Sequence, residues 1–195
     1  MANKLILASS SPRRQELLEQ VQIPFTVRTK AVDEPLIQSI APLEKVRKLS
    51  KVKGRAVPLN SDQEVILSAD TLISFEGKIL EKPKTKEEAY EMIASMSGKT
   101  HEVLTGVTLR RKDKEETFVE RTKVEFWPLR EEEIIAYINT DEPYDKAGAY
   151  GIQSLGAIFV KQLIGDFYNV MGLPLSRVVR KLREFDIQVL HSDKN

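Results

Sequence analysis

Two strand-like stretches, residues 103–111 and 117–126, are separated only by the charged turn Lys112–Glu116. A link that short joins antiparallel neighbours; parallel strands need a crossover of a dozen residues or more. The pair therefore excludes a purely parallel sheet. Around it, Lys4–Ala8, Phe25–Thr29, Val65–Ala69, Leu72–Phe75 and Lys78–Leu80 also read as strands, the last two joined by the turn Glu76-Gly77. Residues 156–162 and 166–170 read as two more. Helical patterns are interspersed without a strict βαβ rhythm. The expected architecture is α/β: residues 1–195 as one compact domain, a mixed twisted sheet flanked by helices, with two lobes around a central cleft as its elaborated form.

The helices have local signals. Ser11 suits an N-cap and Pro12 the first helical position, where a missing N–H costs nothing. Leu17, Leu18 and Val21 then follow at helical spacing until Pro24. Pro35 and Pro42 bracket a loop, and Leu43, Val46 and Leu49 line one face of a second helix. Thr85 and Glu88 form a capping-box pattern ahead of Ala89, Met92, Ile93 and Met96. Residues 131–138 read as a short helix and Thr140–Gly151 as a loop. Leu175, Val178, Val179 and Leu182 line a last helix, and the residues from His191 read as a frayed tail.

Composition narrows the chemistry. The chain has no cysteine, which removes disulfides, thiolate metal sites and Cys nucleophiles. Its two histidines, His101 and His191, do not make a His-rich zinc site and speak against a Ser-His-Asp triad. The work falls to carboxylates, lysines, arginines and hydroxyls. A net charge of +1 argues against a generic nucleic-acid binder, whose phosphate contacts need a large basic excess. That charge is unevenly placed: residues 1–60 hold 11 Lys/Arg and 5 Asp/Glu, and the remainder 19 and 24. The imbalance fits either a solvated helix face or a site for a small polyanion. Nothing approaches twenty consecutive apolar residues, and Leu5–Ala8 is too short for a signal-peptide core. A cytoplasmic protein with no membrane partner is expected.

Four constellations can carry chemistry. In Ala8-Ser9-Ser10-Ser11-Pro12-Arg13-Arg14, a helix start offers free N–H groups, three hydroxyls and a guanidinium able to fork across phosphate oxygens. A plain cap with solvated arginines is the alternative. Ala69-Asp70-Thr71 puts a carboxylate between apolar stretches, where it must face a polar cleft, meet a metal, be paired, or make a local turn at a strand end. In Glu81-Lys82-Pro83 the proline keeps the lysine extended. Asp145-Lys146-Ala147-Gly148-Ala149-Tyr150-Gly151-Ile152-Gln153 combines small residues that admit a ligand with a polar residue at each end. By contrast, Ser97-Gly98-Lys99-Thr100 only imitates a P-loop: the required earlier glycine is Ile93, and the tetrapeptide follows a helix instead of preceding one. It reads as a helix stop at Gly98.

Taken together, Ala8–Arg14, Ser68–Thr71, Glu81–Pro83, Ser97–His101, Asp145–Gln153 and Val170–Pro174 resemble the Maf family, in the family's order and over nearly the whole chain. The resemblance implies a Maf/ITPase-like fold and a nucleoside triphosphate pyrophosphatase. Such an enzyme cleaves an NTP to its monophosphate and pyrophosphate. It assigns the catalytic carboxylate to Asp70 and phosphate and metal handling to Ser9, Arg13, Glu34, Lys53 and Lys82. Arg13, Thr71 and Gln153 match the specificity positions of the branch preferring dTTP and UTP. Two departures are Ser68 and Ser154, each where glycine is usual, and the acidic pair Asp33-Glu34 leaves two carboxylates available to a metal. A homodimer is expected from the resemblance alone, and the family was named for inhibition of septum formation.

The expected chemistry follows. The triphosphate, bridged by Mg²⁺ or Mn²⁺ on Glu34 and Asp70, lies between the N-terminal loop and the lysines, with Asp70 as base. Arg13, Lys53, Lys82 and Lys146 offset the leaving-group charge. The Gln153 amide matches O4 and N3–H of thymine or uracil; it can also pair with adenine, and the resemblance decides between them. Rival expectations are a pyrophosphatase for a modified nucleotide such as 7-methyl-GTP, and a non-catalytic nucleotide-binding regulator of cell division.

Overall fold

The computed structural model describes residues 3–32 and 41–189. Seven strands form one mixed sheet: β1 (Lys4–Leu7), β2 (Phe25–Val27), β3 (Glu64–Phe75), β4 (Lys78–Leu80), β5 (Thr100–Arg110), β6 (Glu115–Phe126) and β7 (Val160–Ile164). Their order is β2-β1-β3-β5-β6-β7, with β4 on β3. β1 runs parallel to both β2 and β3, and the remaining pairs are antiparallel. The β5–β6 hairpin is the one the short charged turn predicts, with Arg110 opposite Glu115. Among the described residues six α-helices surround the sheet: α1 (Pro12–Gln20), α2 (Pro42–Ala56), α3 (Lys86–Met96), α4 (Glu131–Ile138), α5 (Phe167–Met171) and α6 (Leu175–Arg183).

Most helix starts lie where the sequence puts them. The Thr85 hydroxyl accepts the Glu88 N–H at 3.2 Å. Glu88 in turn accepts the N–H of Lys84, at 2.7 Å, so the box closes one residue early. Ser11 occupies the N-cap of α1, but its side chain makes no cap bond. In α2, Val46 and Leu49 are buried while Leu43 is exposed, so the apolar stripe is narrower than its spacing predicts.

Three readings are corrected. Val65–Ala69 and Leu72–Phe75 belong to one continuous strand, so Asp70 and Thr71 lie mid-strand instead of at strand ends. Leu155–Phe159 forms a 3₁₀ turn before β7, because the Glu142 carboxylate takes the N–H groups of Leu155 and Gly156 that a ladder would use. Residues 167–171 are helical: the Asp166 side chain accepts the N–H groups of Tyr168 and Asn169, and a cap of this kind overrides an apolar run. The loop 140–151 also contains two 3₁₀ turns, Glu142–Asp145 and Ala147–Ala149. Pro35 and the tail from His191 lie outside the described residues.

Two cores flank the future site. One gathers Leu7, Leu17, Leu67, Val178 and Phe185 beneath α1 and α6. The other gathers Ile93, Met96, Phe126, Tyr137 and Phe159 beneath α3 and α4. On the opposite face of the sheet, α2 packs through Val46 onto Leu72 and Leu104. Gly106 of β5 makes this approach possible, since a Cβ there would stand 2.2 Å from the Val46 carbonyl oxygen. Along its outer edge, β3 pairs with β1 over Glu64–Leu67 and with β4 over Ile73–Phe75. Between them, residues 68–72 have no strand partner on that edge among the described residues.

Candidate active site

That break in the outer-edge pairing of β3 opens into a cleft of about 1070 Å³. It lies beyond the carboxyl end of β1, where α/β sheets with parallel neighbours commonly receive ligands. Ser9, Arg13, Lys53, Asp70, Thr71, Lys82, Lys146 and Gln153 all line it. Eight residues spread over 145 positions thus share one wall-to-wall space. Glu34 lies outside the described residues, as does Asp33.

Successive strand residues point to opposite faces, so Asp70 and Thr71 leave β3 on different sides of the sheet. On one side Asp70 meets α2: the Lys53 ammonium donates to its Oδ1 at 2.5 Å. Lys53 reaches that far because α2 sits low on the sheet. At Gly54 an added Cβ would stand 2.5 Å from the Ser68 Oγ, and Gly106, the close-approach glycine, is the β5 partner of Asp70. The Ser68 hydroxyl donates to the Ser50 carbonyl at 2.7 Å, fixing the same contact.

On the other side, the Thr71 hydroxyl lies 2.8 Å from that of Thr105 and accepts Arg14 Nη2 at 3.1 Å. Arg14 also donates Nη1 to the Ser9 hydroxyl at 3.0 Å and Nε to the Gly172 carbonyl at 2.8 Å. Burial lowers its guanidinium pKa to about 10, which leaves it cationic at neutral pH. The sequence reading places a fork on Arg13 and overlooks Arg14. The doubled arginine at the helix start is the only signal that could have found it. One spacing step on α1 sends Arg14 inward and leaves Arg13 facing the cleft.

Arg13 crosses the cleft to Asp145, Nη1 to Oδ2 at 3.2 Å, and Lys146 holds the other oxygen at 2.6 Å. Burial by itself would raise the Asp145 carboxyl, but Lys146 and Arg13 outweigh it and hold it below the usual carboxylate range. Lys82 is exposed and has no ion-pair partner among the described residues. Behind the cleft, His101 Nε2 lies 2.7 Å from the hydroxyl of Tyr150, a cleft residue. Burial lowers the His101 pKa to about 4, so the imidazole is neutral at physiological pH. Gly98 has a φ of +67° directly after α3 and works as the helix stop the sequence implies. Its neighbour Lys99 pairs with Glu76, and the tetrapeptide takes no part in the cleft.

A carboxylate paired with a lysine, ringed by further cations, can hold a polyanion and accept a proton from water. Among the described residues no group of three or more His, Cys, Asp or Glu is placed to cage a metal. The Asp70 carboxylate is a hard-oxygen donor on the cleft wall. It fits a divalent ion that draws most of its ligands from substrate and water.

The family model described as Maf-like protein matches residues 4–185. A dTTP/UTP pyrophosphatase from Bacillus anthracis is 51% identical over 97% of this chain and 99% of its own length. A dTTP/UTP pyrophosphatase from Bacillus cereus is 49% identical over the same shares. Among solved structures, a HAM1 protein from Coxiella burnetii aligns with 93% of this chain and 99% of its own, at a TM-score of 0.50 and 13% identity. That likeness concerns the fold. No helix among the described residues is long and apolar enough to cross a membrane.

Proposed function

The chain belongs to the Maf family, and on that premise we propose that it hydrolyses dTTP and UTP to the monophosphate and pyrophosphate in the cleft beside the unpaired edge of β3. The observation that carries this reading is the Asp70–Lys53 pair in the lining of a cleft that Arg13, Lys82 and Lys146 also line. The names of the relatives supply the bases. The whole chain acts as one catalytic domain.

In the reaction, a water oxygen attacks the α-phosphorus and its proton passes to the Asp70 carboxylate. The bond from the α-phosphorus to the bridging oxygen breaks, and its electron pair leaves with pyrophosphate. Lys53 holds Asp70 in place through the 2.5 Å contact. Arg13, Lys82 and Lys146 offset the charge that grows on the leaving group, an effect strongest where donors are already oriented. The unfilled cap of α1 leaves first-turn N–H groups to the phosphates. Arg14 and Thr71 act from within their own network, fixing Ser9 and the cleft wall. Asp70, with Glu34 or Asp33, would hold Mg²⁺ or Mn²⁺. When bound, such an ion supplies charge neutralisation at the phosphate oxygens. Gln153 reads the base by pairing its amide with O4 and N3–H.

Pyrophosphate release across the common NTPs and 7-methyl-GTP, with and without EDTA, tests the reading. Turnover of dTTP and UTP that disappears with EDTA is expected. Turnover confined to 7-methyl-GTP would overturn the base assignment, and nucleotide binding without turnover would leave a regulator. The same reading places the enzyme in the cytoplasm as a homodimer, which sedimentation checks.

A further inference from the structure

The side of the cleft that carries Gln153 is organised around one carboxylate outside the proposed chemistry. Glu142 Oε1 accepts the Ser154 hydroxyl at 2.6 Å, the Gly156 N–H at 3.1 Å and the Tyr137 hydroxyl at 3.0 Å. Its Oε2 accepts the Leu155 N–H at 3.0 Å. Burial would raise the Glu142 carboxyl, but these donors outweigh it and hold it below the usual range. Three of the four come from the residues directly after Gln153.

The main chain of Glu142 serves the other end of the same segment. Its carbonyl accepts the Lys146 ammonium at 2.9 Å. Two glycines keep the turn this tight: a Cβ at Gly151 would stand 2.7 Å from the Lys146 stem, and one at Gly156 would stand 2.8 Å from the Gly151 carbonyl oxygen. At Gly156 the obstacle is main chain, so a side chain there would force the segment that carries Gln153 to shift. The residue next to Gln153 is a serine, and its hydroxyl is one of the groups that Glu142 holds. This chain therefore has a tie beside its base-reading position.

We propose that Glu142 is a positioning residue for base recognition: its carboxylate gathers residues 154–156 and thereby holds the Gln153 amide against the base of the nucleotide. The inference rests on the reading of Gln153 as the base reader. Ser154 strengthens the hold in this chain, and Tyr137 supports the carboxylate from α4.

The experiment compares dTTP with CTP, which presents the reverse donor–acceptor pattern, in the full-length enzyme. Glu142→Gln keeps the volume and turns one acceptor into a donor facing an N–H. It should lower the dTTP/CTP ratio of kcat/KM about tenfold, mainly through KM for dTTP, with kcat within about twofold, because a misplaced reader costs binding and not the chemical step. Ser154→Ala, which folds without a new polar group, should lower the ratio about threefold, the loss of one hydrogen bond of several. Gln153→Ala should lower it as much as Glu142→Gln, and the double variant no further, since residues acting as a unit are not additive. A wild-type ratio in both Glu142→Gln and Ser154→Ala, beside a collapsed ratio in Gln153→Ala, would overturn the positioning role alone. An unchanged ratio in Gln153→Ala would remove the base reader itself, and the proposal with it. A fall in kcat alone, equal for both nucleotides, would mark Glu142 as merely structural and overturn the role.

Discussion

The two walls of the cleft are built by different means. The wall made by residues 9–14 and β3 extends regular structure. β1 stops, α1 starts, and Arg14 ties the turn to Thr71 and Gly172. The facing wall, residues 142–156, contains no strand and no α-helix. It is held by the Glu142 carboxylate, the Lys146–Glu142 bond and two close-packed glycines. The comparison teaches a division of labour. Under the proposed function, Asp70, Lys53 and the start of α1 meet the triphosphate from places set by backbone geometry, with Lys146 added from the facing wall. In the same proposal, base identity falls to a side-chain-built loop outside the sheet.

Substitutions that strike one wall and spare the other break or sharpen that division. The largest effect belongs between the walls. Asp70→Asn should lower pyrophosphate release about 10³-fold while leaving the melting temperature near wild type, as for loss of a general base. Retained turnover would remove Asp70 from the mechanism.

Next is the support of the irregular wall from behind. His101 is buried and bonded to Tyr150, with its pKa lowered from 6.5 to about 4. Above pH 6.5 it is neutral folded and unfolded, and contributes no pH dependence. As pH falls from 6.5 towards 4, the unfolded chain takes up a proton that the folded one refuses, so stability is lost across that window. The loss reaches about 3 kcal/mol. Urea unfolding at pH 7 and pH 4.5 should show a larger difference for wild type than for His101→Gln, and equal differences would refute the assignment.

On the regular wall, Arg14→Lys keeps the charge and loses the fork. It should cost about 2 kcal/mol in urea unfolding and weaken dTTP and CTP turnover alike. A change in the dTTP/CTP ratio would blur the division. Gln153→Ala on the opposite wall should do the reverse: a fall of about tenfold in the ratio, near 1.4 kcal/mol, with stability unchanged. The smallest effect is a control away from both walls. Thr85→Ala removes the α3 cap and should cost about 1 kcal/mol of stability without altering base preference.

The regular elements were largely legible before the structure because their signals are local, although β3 reads in the sequence as two strands. The hairpin 100–126, the Pro12 helix start, the capped α3 and the apolar face of α6 each rest on periodicity or on a residue's own backbone preference. Arg14 was not legible, since nothing in Arg13-Arg14 says which guanidinium turns inward. The irregular wall misled the pattern reading. Residues 156–162 and 166–170 carry strand-like apolar runs, yet Glu142 captures the N–H groups of Leu155 and Gly156 where the first begins and Asp166 caps the second into a helix.

By itself, the sequence determined the sheet's mixed character, the exclusion of cysteine and histidine-rich chemistry, and the set of side chains from Ser9 to Gln153 that share the cleft. The first two follow from chain-local geometry and composition, and the third from the resemblance to the Maf family. The tertiary structure decided that Asp70 sits mid-strand where β3 has lost its outer partner, and that Lys53 reaches it across a sheet approached closely at Gly54 and Gly106. It also decided that Glu142 anchors the loop bearing Gln153. These depend on which distant groups satisfy which hydrogen bonds, and that choice is made only when the elements pack.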